Sequence, residues 1–380
     1  MMKSRLKNLI KGLVYGCVSY LVRFRKPKQS EGQVLIIRAD NIGDFLLFSP
    51  LLNPLKEFYS EKKIVFVGNA TIQELIPYYT SIDEFIPLSV VRFRRNPFYR
   101  VRFLWALRER TFDVVIVPSF SIHEVADDIA KETSSPKKIG FGNDTRGIYT
   151  DTINPSPMIS VELDRNIDFG NKLGLHIKET APLFPLQEKD TTMAVQLLKK
   201  YQVPDPFIIL VPSAVWAGRS WPKEKYIEIA RWLHVQGYSL VLVGANSKVD
   251  LENAMQIEKS LSFPIANITG KTSLPVLGAL LKKSRLCVGN DTGPLHLAVA
   301  VGTPIICIVG GGHFRRSFPY GNLQKNKIVF HPRLNDLNCI GCNWTCACCR
   351  PQDRGLPLCM RNIPVDLVIK EIQNSLHSTH

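Results

Sequence analysis

Short apolar runs recur along this chain at intervals that suit alternating strands and helices. Residues 34–38 (VLIIR), 64–68 (IVFVG) and 113–117 (DVVIV) are rich in valine and isoleucine, and each gives way to a polar or helical stretch. Near-continuous apolar runs, without alternation, are what parallel strands covered on both faces require. Residues 139–141 predict a further strand, and 188–206 (EKDTTMAVQLLKKYQVPDP) a helix closed by Pro204 and Pro206. The pattern then begins again. Residues 207–213 (FIILVPS), 239–245 (SLVLVGA), 284–290 (SRLCVGN) and 304–312 (PIICIVGGG) predict strands. Residues 221–238 predict an amphipathic helix with Pro222 early and Gly237 late, and 363–376 a closing helix. The fold class is therefore α/β, with two successive halves built on mostly parallel sheets and a ligand expected in the cleft between them, at the carboxyl ends of the strands. At 380 residues the chain is long enough for two domains. The expected boundaries are a basic amphipathic segment at 1–30, a first domain at 31–190, a second at 206–362 and the closing helix at 363–380.

Charge changes the picture in two places. The net charge is +15, and residues 1–30 carry Lys3, Arg5, Lys7, Lys11, Arg23, Arg25, Lys26 and Lys28 with no acid. Within that segment Leu6, Ile10, Leu13, Cys17 and Leu21 recur at helical spacing, with Lys7 and Lys11 off the stripe. This fits a helix lying on an anionic membrane surface, the alternative being a helix docked on the protein's own body. The most apolar stretch, 12–22, is about half the length a spanning helix needs. No cleavage site for export follows it, so a reducing cytoplasm is the expected compartment. The second cluster, residues 91–110 (VRFRRNPFYRVRFLWALRER), holds seven arginines and one glutamate with aromatics interleaved. Both clusters predict surfaces that meet anions (phospholipid, phosphorylated glycan or nucleic acid) or simply solvent, and for the second, in the expected acceptor domain, phosphate or acidic sugar groups of the acceptor.

Two strand-to-helix turns carry the chemistry. In 36–50 (IIRADNIGDFLLFSP) the first strand runs into a turn with one glycine and then Asp44. A phosphate would be repelled there, so the carboxylate is either a helix N-cap or a base. In 287–310 (CVGNDTGPLHLAVAVGTPIICIVG) a strand ends and Asp291 and Thr292 precede Gly293 and Pro294, with Gly302 closing the helix. That unit offers free N–H groups and a positive dipole end to a diphosphate, leaving Asp291 to accept from a sugar or ribose hydroxyl and His296 within reach of either. Arg219, in 212–226 (PSAVWAGRSWPKEKY), is placed after a strand where it can neutralise the same diphosphate; Trp221 beside it reads as a packing residue.

Three strings, VLIIRADNIGDFLLFSPLLNPLK, GRSWPKEKYIEIARWL and GNDTGPLHLAVAVGTPIICIVG, resemble glycosyltransferase family 9, the bacterial lipopolysaccharide heptosyltransferases, with weaker matches at 137–141 and 164–174 and in the tail. The resemblance implies a GT-B fold: two Rossmann-like domains, acceptor site in the first and nucleotide-sugar site in the second. It implies inverting transfer of a heptose from an ADP-sugar to a lipid-linked saccharide of the lipopolysaccharide-core type. Carried over by position, Asp44 resembles the catalytic base, and Ser213, Arg219, Asp291, Thr292, Gly293 and His296 fall in the donor site. Arg219 stands where the family often has a lysine. After VLVGA the family often has an acid that helps hold the donor, whereas here Lys248 lies near that point with Asp250 and Glu252 beyond it. Arg92, Arg94 and Arg95 are candidates for contacts to the acceptor. No DxD-like motif is seen, so no cofactor is expected for catalysis. The alternatives are a transferase using another nucleotide sugar, a sugar-nucleotide epimerase and, outside this class, a basic nucleic-acid-binding protein, which no recognisable module supports. Peripheral attachment to the inner face of the cytoplasmic membrane is the expected location.

Cys17, Cys287 and Cys307 sit in apolar runs and read as buried thiols, while the other six of the nine cysteines crowd into 339–359 with the spacing C-x2-C-x3-C-x-C-C-x9-C. Cys339, Cys342, Cys346 and Cys359 are a candidate structural zinc set, with unbound thiols and disulfides as the alternatives.

Overall fold

A computed structural model describes residues 32–120, 124–159, 161–214, 217–312, 314, 316–318, 320, 328–330, 342 and 357–377. They fall into two compact units. The first holds the described residues up to Phe45, Leu51–Met158 and Arg165–Lys178; the second holds Leu46–Pro50, Ile159–Asp164 and the chain from Glu179. The helix Glu188–Lys200, expected at a junction, packs instead with the second unit, against the helix Leu274–Lys283. The division thus falls nearer residue 178 than 190–206. The amphipathic segment 1–30 lies outside the described residues.

Each unit carries one six-stranded, wholly parallel sheet. In the first, β1 (Gln33–Arg38), β2 (Lys63–Asn69), β3 (Glu84–Leu88), β4 (Val114–Val117), β5 (Lys137–Phe141) and β6 (Asp151–Ile153) are ordered β3-β2-β1-β4-β5-β6. In the second, β7 (Phe207–Val211), β8 (Ser239–Leu242), β9 (Ala266–Asn267), β10 (Leu286–Asn290), β11 (Ile305–Ile308) and β12 (Ile328–Phe330) are ordered β12-β11-β10-β7-β8-β9. Both are the doubly wound order of Rossmann-like domains. The strands read from apolar runs are the central ones. The four unexpected strands, β3, β6, β9 and β12, are the edges. Edge strands need no continuous apolar run, and β6 is in fact mostly exposed.

Side-chain alternation sorts each central strand between two helical layers. Leu35, Ile37, Val65, Val67, Val115 and Val117 share one core with Phe93, Leu104 and Leu107. Phe66, one residue out of step with Val65 and Val67, meets Phe45 edge-on, with ring centroids 5.8 Å apart. In the second unit Ile208, Leu210, Leu240, Leu242, Val288 and Ile306 pack with Tyr226, Ile229 and Leu233 of the helix Lys223–Val235 and with Val368 and Ile372 of the helix Val365–His377. Gly289 is required by the pairing of β10 with β7, because a Cβ there would lie 2.6 Å from that of Val211. Gly302, with φ of +81°, ends the helix that follows β10.

The edge strand β3 is held by an ion pair. Arg110 donates from Nη1 to Glu84 Oε1 at 2.7 Å and from Nη2 to Oε2 at 3.1 Å, and also to Gln33 at 2.6 Å. The guanidinium, helped by Lys63, draws the Glu84 carboxyl from near 4.5 down to about 2. Its folded value lies below its unfolded one, so its contribution to stability is complete above the unfolded value and fades as pH falls toward the folded one. Urea unfolding of Arg110→Met should therefore show a deficit at pH 7 that shrinks on acidification and closes near pH 2; a deficit independent of pH assigns Arg110 a packing role only.

Candidate functional site

Each sheet reverses its winding between its two central strands, β1 and β4 in the first unit and β7 and β10 in the second. Loops diverge at such a point and leave a crevice at the carboxyl ends of the strands. Asp44 and the residues expected in the donor site lie at these two places, each within its own unit.

In the first unit β1 ends at Arg38 and the helix Ile42–Phe48 begins after three residues. Asp44 lies in the first turn of that helix and is half-buried. The Phe45 N–H is accepted by the Asn41 carbonyl at 3.0 Å, so Asn41 holds the cap position. The cap reading of Asp44 is thereby corrected: the side chain is one turn position inside the helix, where the dipole favours a carboxylate. Behind it is a buried polar cluster that sequence reasoning missed. Arg38, 2% exposed, donates from Nε to Asp40 at 2.8 Å and from Nη1 to Asn166 Oδ1 at 3.0 Å and the Pro118 carbonyl at 3.3 Å. Ser119 donates to the same Asp40 oxygen at 3.5 Å. The cluster ties the ends of β1 and β4 to the helix Glu162–Leu173. Its only sequence signal was a charged pair, Arg38 and Asp40, at the end of an apolar strand. Removing one member of a buried pair leaves the other charged and desolvated. Arg38→Met should cost about 3–5 kcal/mol in urea unfolding, and Arg38→Met/Asp40→Leu should recover much of it; an Arg38→Met chain of full stability contradicts the assignment.

The arginine cluster divides. Arg100 pairs with Asp128 at 3.0 Å, Arg108 with Glu132 at 3.5 Å and Arg110 with Glu84, so these three serve the fold. Arg92, Arg94 and Arg95 are exposed on the helix Val90–Arg95, with Arg92 stacked 4.6 Å over the Tyr99 ring.

In the second unit β7 and β10 deliver a connected polar chain. Arg219 donates from Nη2 to the Asp291 carboxylate at 2.9 Å and to the Asp291 carbonyl at 2.8 Å. The other carboxylate oxygen of Asp291 lies 3.2 Å from His296 Nε2, and His296 Nδ1 is hydrogen-bonded to the Tyr320 hydroxyl. His296 is 4% exposed and stacked on Phe318 with centroids 4.7 Å apart. Both ring nitrogens of His296, expected to come within reach of the ligand, are thus engaged within the protein, one by Asp291 and one by Tyr320. Asp291, expected to accept from a sugar hydroxyl, holds the Arg219 guanidinium. Thr292 takes the N-cap of the helix Gly293–Ala300, with its hydroxyl directed back to the Asn290 carbonyl at 3.2 Å. The N–H groups that open this helix have no partner within it. Ser213, 4% exposed at the end of β7, accepts from Asn253 at 3.1 Å. Asn290, fully buried, accepts the Trp221 N–H at 2.9 Å and so anchors the segment carrying Arg219. Trp221 is buried and donates to the Ile363 carbonyl at 3.1 Å, the packing role expected of it.

After β8, Lys248 is exposed and faces Glu252 at 3.8 Å, whereas Asp250 is buried and hydrogen-bonded to Ser247, the cap of the helix Lys248–Lys259. Cys287 and Cys307 are buried in β10 and β11, and burial pushes both thiols up, so they stay protonated at neutral pH. Of the candidate zinc set, Cys339 and Cys346 lie outside the described residues. Cys359 is buried with Met360 and Ile363 in the second core. Among the described residues no group of three or more His, Cys, Asp or Glu is placed to hold a metal ion.

Comparison with known proteins bears on the family and the fold. The chain is 24% identical over 300 residues to the lipopolysaccharide core heptosyltransferase OpsX of Haemophilus influenzae, covering 78% of this chain and 84% of that protein. The crystal structure of a family 9 glycosyl transferase from Veillonella parvula superposes with a TM-score of 0.72 at 21% identity, covering 92% of this chain and 98% of that one. The Escherichia coli heptosyltransferase WaaC with ADP-2-deoxy-2-fluoro heptose superposes with a TM-score of 0.63 at 19% identity, covering 90% and 99%. These structures share the GT-B fold expected from the sequence. The model of glycosyltransferase family 9 (heptosyltransferase) matches residues 100–339, well over half of the chain, and the chain belongs to that family.

Proposed function

We propose that this glycosyltransferase moves a heptose from ADP-heptose to a saccharide of the lipopolysaccharide core, with inversion at the transferred sugar. The observation that carries the reading is the Arg219–Asp291 pair beside the start of the helix Gly293–Ala300. A fixed cation and the N–H end of a helix stand at one switch point, which is the combination a departing diphosphate requires. The choice of donor is supported by the relatives, among them a lipopolysaccharide core heptosyltransferase and a heptosyltransferase structure with ADP-2-deoxy-2-fluoro heptose.

In the step itself an acceptor hydroxyl oxygen bonds to the anomeric carbon as the bond from that carbon to the diphosphate oxygen breaks. Asp44 takes the hydroxyl proton. Arg219 and the N–H groups at Thr292 and Gly293 stabilise the charge that gathers on the diphosphate. The reaction takes place where a soluble nucleotide sugar meets a lipid-linked saccharide, at the inner face of the cytoplasmic membrane.

One observation favours a second reading. Where relatives often place an acid after VLVGA, Lys248 is exposed and the nearby Asp250 is turned inward to Ser247. That change supports a different nucleotide sugar on the same scaffold. Calorimetry with ADP, UDP and GDP, followed by a transfer assay with ADP-heptose and heptose-deficient core, tests both. ADP binding and ADP-heptose consumption are expected. Tight UDP or GDP binding with none to ADP selects the second reading, and no binding of any diphosphate removes both.

A further inference from the structure

The helical hairpin in the first unit is apolar on the wrong side. The helix Pro97–Arg108, capped by Asn96, buries Arg100, Leu104 and Leu107 against the sheet. Phe98, Arg102 and Trp105, at i, i+4 and i+7, share the opposite face about 10 Å along the axis. Phe98 is 86% exposed and Trp105 37% exposed, and Arg102 between them is exposed as well. On the preceding helix Val91 is 62% exposed beside exposed Arg92, Arg94 and Arg95. From 90 to 108 the sequence holds no acid. Core packing explains none of these exposed positions.

We propose that this face is a docking surface for an anionic phospholipid bilayer, with Phe98 and Trp105 entering the headgroup level and Arg92, Arg94, Arg95 and Arg102 meeting lipid phosphates. Aromatic and aliphatic side chains set among arginines match the boundary between acyl chains and phosphates. Charge argues against the other occupants. Residues 1–30 have eight basic residues and no acid, so that segment would bring like charge to the patch. A second copy in a two-fold contact would face arginines with arginines. The surface goes beyond the donor chemistry proposed above and stands whichever sugar is transferred.

The test is sedimentation of the full-length protein with vesicles of phosphatidylcholine alone and with phosphatidylglycerol added. Binding is expected to the anionic vesicles and to weaken at high salt. Phe98→Ser/Trp105→Ser should lower the partition coefficient about tenfold or more. Arg94→Gln/Arg95→Gln/Arg102→Gln should lower it by roughly a hundredfold. Transfer by the Phe98→Ser/Trp105→Ser variant to a delipidated, water-soluble core saccharide should match wild type. A measurement that spares the fold is quenching by brominated lipid: the signal lost in Trp105→Phe should be the quenched one. Wild-type partitioning by both multiple variants, or a Trp105 signal untouched by brominated lipid, overturns the proposal. So does a triple arginine variant that binds vesicles normally but loses the soluble acceptor, which assigns the patch to acceptor phosphates. Preferential binding of an oligonucleotide, with no affinity for anionic vesicles, overturns it in favour of nucleic acid.

Discussion

Asp44→Asn should lower kcat for sugar transfer by about a thousandfold while leaving the Kd for the nucleotide diphosphate within about threefold of wild type. The amide matches the carboxylate in size and keeps the same place in the first turn of the helix Ile42–Phe48, so the fold is expected to survive. What is lost is the capacity to accept a proton. A second carboxylate, Asp40, lies four residues earlier in the turn between β1 and that helix, and it is the natural rival. Arg38 at 2.8 Å and Ser119 at 3.5 Å hold it, and it is 7% exposed. A carboxylate so buried, and already engaged by a guanidinium, is poorly placed to reach an acceptor hydroxyl. Measuring kcat and calorimetric Kd separately decides the case. Retained kcat in Asp44→Asn shows that the base is elsewhere. A joint loss of kcat and donor binding shows that the helix itself was disturbed.

The fold was legible where burial leaves no choice. Val34–Ile37, Ile64–Val67 and Ile208–Val211 lie in strands covered on both faces, and such strands can be built only from apolar runs. Edge strands such as Asp151–Ile153 are exposed and carry no such signature. The strand–turn–helix unit proposed for the donor was legible as a unit because Asp291, Thr292, Gly293 and Pro294 follow a strand and open a helix. The string alone would not have sufficed. Gly142–Thr145 repeats the same four residues as Gly289–Thr292 after another parallel strand. There Asp144 accepts from the N–H groups of Arg146, Ile148 and Tyr149 at 2.7–3.1 Å and closes a turn, and no helix follows. What separates the two is the apolar helical run after Pro294, which gives the second copy an N-terminus to present. The partners of Asp291 were not legible, because Arg219 and Tyr320 are far from it in sequence and only the order of β7 and β10 brings the first of them near.

The Arg219–Asp291 pair should behave as one unit. Arg219→Met is expected to lower kcat/KM by about a hundredfold to a thousandfold, the usual loss when a fixed donor to the developing charge is removed. Asp291→Ala should lose nearly as much, although Asp291 carries the wrong sign to touch a phosphate. The carboxylate fixes Nη2 of Arg219 and so sets the plane in which the other guanidinium N–H groups can donate, and it also meets His296. Without it Arg219 keeps its charge but loses its orientation. The double variant is expected to be scarcely worse than the worse single one, because the second substitution removes an interaction already lost. Losses that multiply would show that the two side chains act independently and that Asp291 meets the sugar directly. Arg219→Lys separates charge from geometry. A lysine ammonium is a single point charge that can serve Asp291 or the diphosphate, whereas the guanidinium fork can serve both, so the variant should keep donor binding and lose most of the rate.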